Sequence, residues 1–138
     1  MIKLKTLREA LEYSPEKIDS FVSKATKDLA DTKKVFNALV NKIEDLSIAS
    51  VKEDSAKAKD LLEKVKQTKA FSDKAYNTYY DIVDMYDYMD SPDNVKQLDR
   101  LTSDFDYLNM DIDNLQSALE SILEAADYFK RFAKETES

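Results

Sequence analysis

The chain has 138 residues, 28 acidic against 21 basic, for a formal net charge of −7, and it contains no glycine, cysteine, histidine or tryptophan. Without cysteine there are no disulfides or thiolate metal sites, and without histidine the commonest general base near neutral pH and the commonest metal ligand are both missing. Catalytic triads, zinc hydrolases and helical carboxylate–histidine di-iron sites are excluded together, and the lack of glycine excludes phosphate-cradling loops as ordinarily built.

The length suits one domain that buries a core without covalent staples. No apolar run approaches the ~18 residues of a membrane span, and Met1-Ile2-Lys3-Leu4-Lys5 leads into charged residues rather than a signal-type apolar stretch. The expectation is a non-secreted chain with no membrane contact, working in the cytoplasm or inside a virion.

In chain order, residues 1–13 carry Leu4, Leu7 and Leu11 on one side and predict a short N-terminal helix. Residues 14–138 divide at three helix starts. Ser14-Pro15-Glu16 and Ser91-Pro92-Asp93 each place a serine to cap, a proline at the first helical position and an acid where the helix dipole favours it. Ser50-Val51-Lys52-Glu53 has capping-box spacing. The predicted helices therefore cover about 15–48, 51–90 and 92–135.

Each segment has a heptad seam. The first runs Ile18, Val22, Ala25, Leu29, Thr32, Phe36, Leu39, Ile43 and Leu46, in steps of four and three. The second, weaker in its middle, runs Val51, Asp54, Ala58, Leu61, Val65, Thr68, Ser72, Ala75, Tyr79, Ile82, Tyr86 and Met89. The third runs Leu98, Leu101, Phe105, Leu108, Ile112, Leu115, Leu119, Ile122, Ala126, Phe129 and Ala133 with no polar member. Flanking residues such as Phe21, Val35, Val40, Leu62, Val83 and Leu123 widen each stripe beyond that of a two-stranded coil. The expected fold is all-α: an elongated, coiled-coil-like, three-helix up-down-up bundle with the short N-terminal helix beside it.

Once the seams are placed, the outward positions can be read. With Ala75 and Ile82 at d, the residues Asp81, Asp84 and Asp87 fall at c, f and b, with Tyr80 and Tyr88 beside them. In the third helix Asp99, Asp106, Asp113, Glu120 and Asp127 recur every seventh residue at b, and Tyr107, Met110 and Tyr128 share that outer side. Tyr79 and Tyr86 lie on the seam and are expected in the core with their hydroxyls at its rim. Charge is sorted along the chain: residues 1–72 sum to +3, 73–113 to −8 and 114–138 to −2, and every acid of the middle block is aspartate.

Four readings compete for this acidic stretch. Asp84, Asp87, Asp90 and Asp93 suggest calcium by their spacing of three, yet no glycine gives the sharp turn and no glutamate closes a twelve-residue loop, so no metal or other cofactor is expected. The acid pairs Asp104/Asp106 and Asp111/Asp113 lack the cleft that acid–base catalysis requires, and no catalytic residue is assigned. Direct nucleic-acid binding is opposed by charge. Carboxylate rows imitating DNA remain a minor alternative, because a seven-residue repeat of about 10.5 Å exceeds the ~7 Å phosphate spacing.

A solvated acidic face accounts for the aspartates one by one but not for the tyrosines beside them. Tyrosine is enriched in contact surfaces, because it offers large area at low entropic cost. The preferred expectation is a non-enzymatic interaction module, with inhibition as one use, that docks a basic protein partner through Tyr80, Asp81, Asp84, Asp87, Tyr88, Asp99, Asp106, Tyr107, Met110 and Asp113. The alternative is self-association as a structural or scaffolding component. Leu7-Arg8-Glu9-Ala10 and Ile122-Leu123-Glu124-Ala125 resemble the cleavage strings in head-core proteins of large tailed phages, and that resemblance implies assembly within a viral particle.

Overall fold

The computed structural model describes residues 15–86 and 92–137, with side chains over 16–86 and 92–132. The helix expected at 1–13, and with it Asp87, Tyr88, Met89 and Asp90, lies outside the described residues. The described elements are α1 (Pro15–Glu44), α2 (Ile48–Glu53), α3 (Ala56–Asp84) and α4 (Asp93–Glu137). The fold is an all-α helical bundle, with no strand among the described residues.

The helix starts follow the cap chemistry, with one correction. Pro15 opens α1 as expected. Pro92 stands one residue before α4, and its carbonyl accepts from the amides of Val95 and Lys96. The second long helix does not begin at Ser50. Ser47 caps α2 instead, and Ser47 and Ser50 exchange reciprocal side-chain bonds of 3.0 Å, a capping box set three residues earlier than expected. Asp54, assigned to the seam, is exposed and ends α2 in an extended conformation. Its Oδ1 then accepts the Ala56 amide at 3.0 Å and starts α3. A short side chain that satisfies local amides favours caps over helix interiors, so the interruption at 54–55 follows from that residue.

The chain divides into two compact units. The first comprises Met1–Thr32 and Phe71–Leu108, the second Lys33–Ala70 and Asn109–Ser138. In the first unit Ile18, Val22, Ala25 and Leu29 of α1 are buried, as are Ala75, Tyr79 and Ile82 of α3 and Val95, Leu98, Phe105 and Leu108 of α4. The rings of Tyr79 and Phe105 stack with centroids 6.1 Å apart, and the Tyr79 hydroxyl donates to Asp28 Oδ2 at 3.0 Å. Asn94 Nδ2 donates to Asp19 Oδ1 at 3.2 Å, which sets the starts of α4 and α1 side by side. With the end of α3 against the start of α4, these contacts give the up-down-up order. Burying Phe105 alone is worth roughly 1.5–3 kcal/mol.

The second unit buries Leu39 and Ile43 of α1, Val51 of α2, Ala58, Leu61 and Val65 of α3, and Ile112, Leu119 and Ala126 of α4. Three sequence expectations change here and in the first unit. The stripe of α4 does contain polar residues: Thr102 and Asn109, one position beyond the seam, are buried. Thr102 turns its hydroxyl onto the Leu98 carbonyl at 2.8 Å, whereas Asn109 Oδ1, like Ser72 Oγ in the first unit, has no hydrogen-bond partner among the described residues. Among the described residues the seam of α4 also outruns its cover, since Ala126 is the last one buried and Phe129 stands 47% exposed. Val35, expected on a buried shoulder of α1, is 48% exposed. Burial of α1 is confined to residues on the three-four alternation and its immediate edge.

Candidate partner-binding surface

The α4 acids at heptad position b do not face directly outward. With Thr102 and Asn109 at position e buried, α4 is rotated so that e meets the core and b, the next position round the helix, forms the rim. In the second unit this brings Asp113 Oδ1 to 3.2 Å from Lys69 Nζ of α3, an ion pair with 22% and 60% of the lysine and aspartate side chains exposed. In the first unit the stack of Tyr79 on Phe105 places the preceding turn of α3 beside the turn of α4 that follows Phe105. There the turn carrying Asp106 faces the turn carrying Tyr76. Partial burial, then the Asp106 carboxylate, then Tyr80 push the Tyr76 phenol above its ordinary value of 10.0.

Tyr76 and Tyr80, four residues apart, stack with centroids 5.7 Å apart and planes inclined by 22°. Tyr80 is 47% exposed and Asp106 is exposed. Asp84 follows Tyr80 by four residues and so shares its side of α3, while Asp99 precedes Asp106 by seven along the same rim of α4. Both are exposed. The structure thus gathers Tyr80, Asp84, Asp99 and Asp106 along one rim, with Tyr76 as a member that sequence reasoning missed. Its position e beside a seam residue was the available signal.

Other candidates stand apart from this rim. Asp81 and Tyr107 each follow a rim residue by one position and are turned about 100° from it along their helices. Both are exposed, Tyr107 at 67%. Met110, 55% exposed, and Asp113 belong to the second unit, and Asp113 is already engaged by Lys69. Asp87 and Tyr88 lie outside the described residues. Asp81, Asp84, Asp99 and Asp106 form no ion pair among the described residues.

Charge follows the division into units. Described residues of the first unit carry eleven acids against six bases, and those of the second carry thirteen against twelve. Tyr79 belongs to the scaffold of this surface rather than to its exposed part. Burial, then the hydrogen bond to Asp28 and its charge, push its phenol far above the ordinary range. Burial alone raises Tyr86.

The second unit has two further features. A groove of about 540 Å³ lies between α2, the start of α3 and the end of α4, lined by Leu62, Leu123 and Ala126 together with lysines 52, 59 and 130. Its acids are committed in part, Asp54 to the cap and Asp127 to Arg131 at 3.0 Å. Beyond it Tyr128, Phe129 and Phe132 are each about half exposed, Tyr128 packing edge-on to Phe129 and stacking on Phe132. Among the described residues no three acidic side chains are grouped to hold a metal ion, and no helix is long and apolar enough to cross a membrane.

No family model matches the chain, and no curated protein or solved structure matches it. The reading of this surface therefore rests on the chain's own residues.

Proposed function

We propose that the protein is a non-enzymatic interaction module that docks a basic protein partner on the acidic, tyrosine-bearing face of its first unit. The observation that carries this reading is charge left uncompensated beside exposed rings. Asp84, Asp99 and Asp106 have no ion-pair partner among the described residues, and Tyr80 stands 47% exposed on the same rim. Charge of one sign steers a partner of the other, and tyrosines supply contact area once it arrives. A partner held in this way has its basic surface occupied, which is the physical basis for inhibition.

The test is affinity capture from the native source at low and high salt, with a variant carrying Asp84→Asn, Asp99→Asn and Asp106→Asn run beside the parent. The expected result is one basic partner retained by the parent, weakened by salt, and lost from the variant. Recovery of the same proteins by both forms would refute the reading. If the captured partner binds DNA, the carboxylate face is acting in place of phosphates.

A second reading, assembly through self-association, is favoured by one separate feature. Tyr128, Phe129 and Phe132 stand about half exposed on α4 beyond Ala126, the last residue buried among those described. Light scattering across a concentration series should then show a mass increase that Phe129→Ser with Phe132→Ser abolishes. A constant monomer mass would remove this alternative. The string Ile122-Leu123-Glu124-Ala125 lies within the continuous helix α4.

A further inference from the structure

The rim of the first unit carries a more specific chemistry than negative charge. Tyr76 and Tyr80 present a two-ring stack on α3, and the stacking of Tyr79 on Phe105 sets the turn of α4 that carries Asp106 beside the turn of α3 that carries Tyr76. In the second unit, seven residues back along α3 and seven on along α4, the corresponding positions hold Lys69 and Asp113, and they pair at 3.2 Å. The same register that brings a cation to Asp113 therefore places a tyrosine beside Asp106. None of the cations on the first unit's α3 and α4, Lys74, Lys96 and Arg100, is ion-paired to Asp106.

A half-exposed ring stack next to an unpaired carboxylate is complementary to one kind of side chain. A guanidinium is planar and weakly hydrated, so it lies flat on an aromatic face while its edge gives two parallel N–H donors to a carboxylate. An ammonium is compact and strongly hydrated, and it gains less from the ring. We propose that Tyr76, Tyr80 and Asp106 form a receptor for an arginine side chain of the basic partner, with Asp84 and Asp99 steering the approach. This inference rests on the docking reading above and names the residue that the docking face selects.

The test uses two capped peptides of equal length and charge, one with four arginines alternating with serines and the other with lysines in their place. Each is titrated into the full chain, and binding is followed by NMR shifts of the tyrosine rings. The parent is expected to bind the arginine peptide about threefold to fivefold more tightly than the lysine peptide. Tyr80→Leu and Asp106→Asn should each bring that ratio to one, and Tyr80→Phe, which keeps the ring, should preserve it. Circular dichroism checks helix content, and if Tyr80→Leu unfolds, Asp106→Asn decides alone. Equal affinities with the parent, or a preference that survives Asp106→Asn, would overturn the receptor while leaving the docking reading intact. Failure of both peptides to bind would overturn the two together.

Discussion

In the second unit the rim aspartate of α4, Asp113, is paired with Lys69; one heptad along each helix, in the first unit, the position of the lysine is taken by Tyr76 and that of the aspartate by Asp106. The described residues of the second unit come within one charge of balance, whereas those of the first carry five more acids than bases. Both units bury apolar stripes of the same heptad kind, so the difference does not arise from how they fold. It lies in what each does with the charge at its rim. An acid with an internal partner has spent its field locally, and an acid facing rings keeps its field for something outside the chain.

The largest expected effect concerns the scaffold under the first unit's rim. Phe105 is fully buried against Tyr79, and Phe105→Ala should cost about 3–5 kcal/mol in urea unfolding, from lost transfer energy and the cavity left behind. A loss below about 1 kcal/mol would mean that the ring does not anchor α3 to α4. Next in size is Tyr79→Phe, which removes the donor to Asp28 and should cost about 1 kcal/mol.

The same phenol gives a pH signature. Its folded-state value is raised, so the folded chain holds the proton more tightly than the unfolded one. Its contribution is fully present below about pH 10, the ordinary phenol value, and is lost as pH rises beyond it toward the folded value. Stability of the parent should fall more steeply above pH ~10 than that of Tyr79→Phe, and parallel alkaline limbs would contradict the burial and hydrogen bond described.

Two smaller effects bear on the rim itself. A double-mutant cycle of Lys69→Ala with Asp113→Asn should give a coupling below about 1 kcal/mol, because the aspartate is well solvated. Tyr76→Lys gives Asp106 the cation that Asp113 already has. It should change stability by no more than about 1 kcal/mol, yet it should weaken binding of a basic peptide that the parent holds. Undiminished binding would show that Asp106 and the ring stack are not part of the docking face.

Much of this was legible from residue order. The alternation through Leu98, Phe105, Ile112 and Leu119 follows from helix periodicity alone, and these residues are all buried. Pro15 marked its helix start because a missing amide and a fixed φ suit only that position. The break at 54–55 was misread because Ser50 and Glu53 imitate a capping box, while the box actually formed uses Ser47 with Ser50 itself as the reciprocating partner. Asp54 on a heptad seam was the warning, since an unpaired carboxylate is rarely buried.

The rim was harder to read. Pairing of Lys69 with Asp113, and of Tyr76 with Asp106, depends on the rotation of α4 and the register between α3 and α4. Buried Thr102 and Asn109 set that rotation, and their polarity hides them from a search for apolar periodicity. Exposure of Tyr80, Tyr107 and Met110 was readable from heptad position, whereas the grouping of Tyr80 with Tyr76 and Asp106, apart from Tyr107 and Met110, was not.

The most direct test of the account is to map the binding of the arginine-containing peptide by backbone amide NMR shifts over the whole chain. The account expects the perturbations to concentrate in residues 71–86 and 93–108, strongest around Tyr76, Tyr80 and Asp106, and to spare 33–70 and 109–132. Shifts spread evenly over both units, or centred on Asp113 and the second unit, would contradict the claim that uncompensated charge in the first unit is the docking surface.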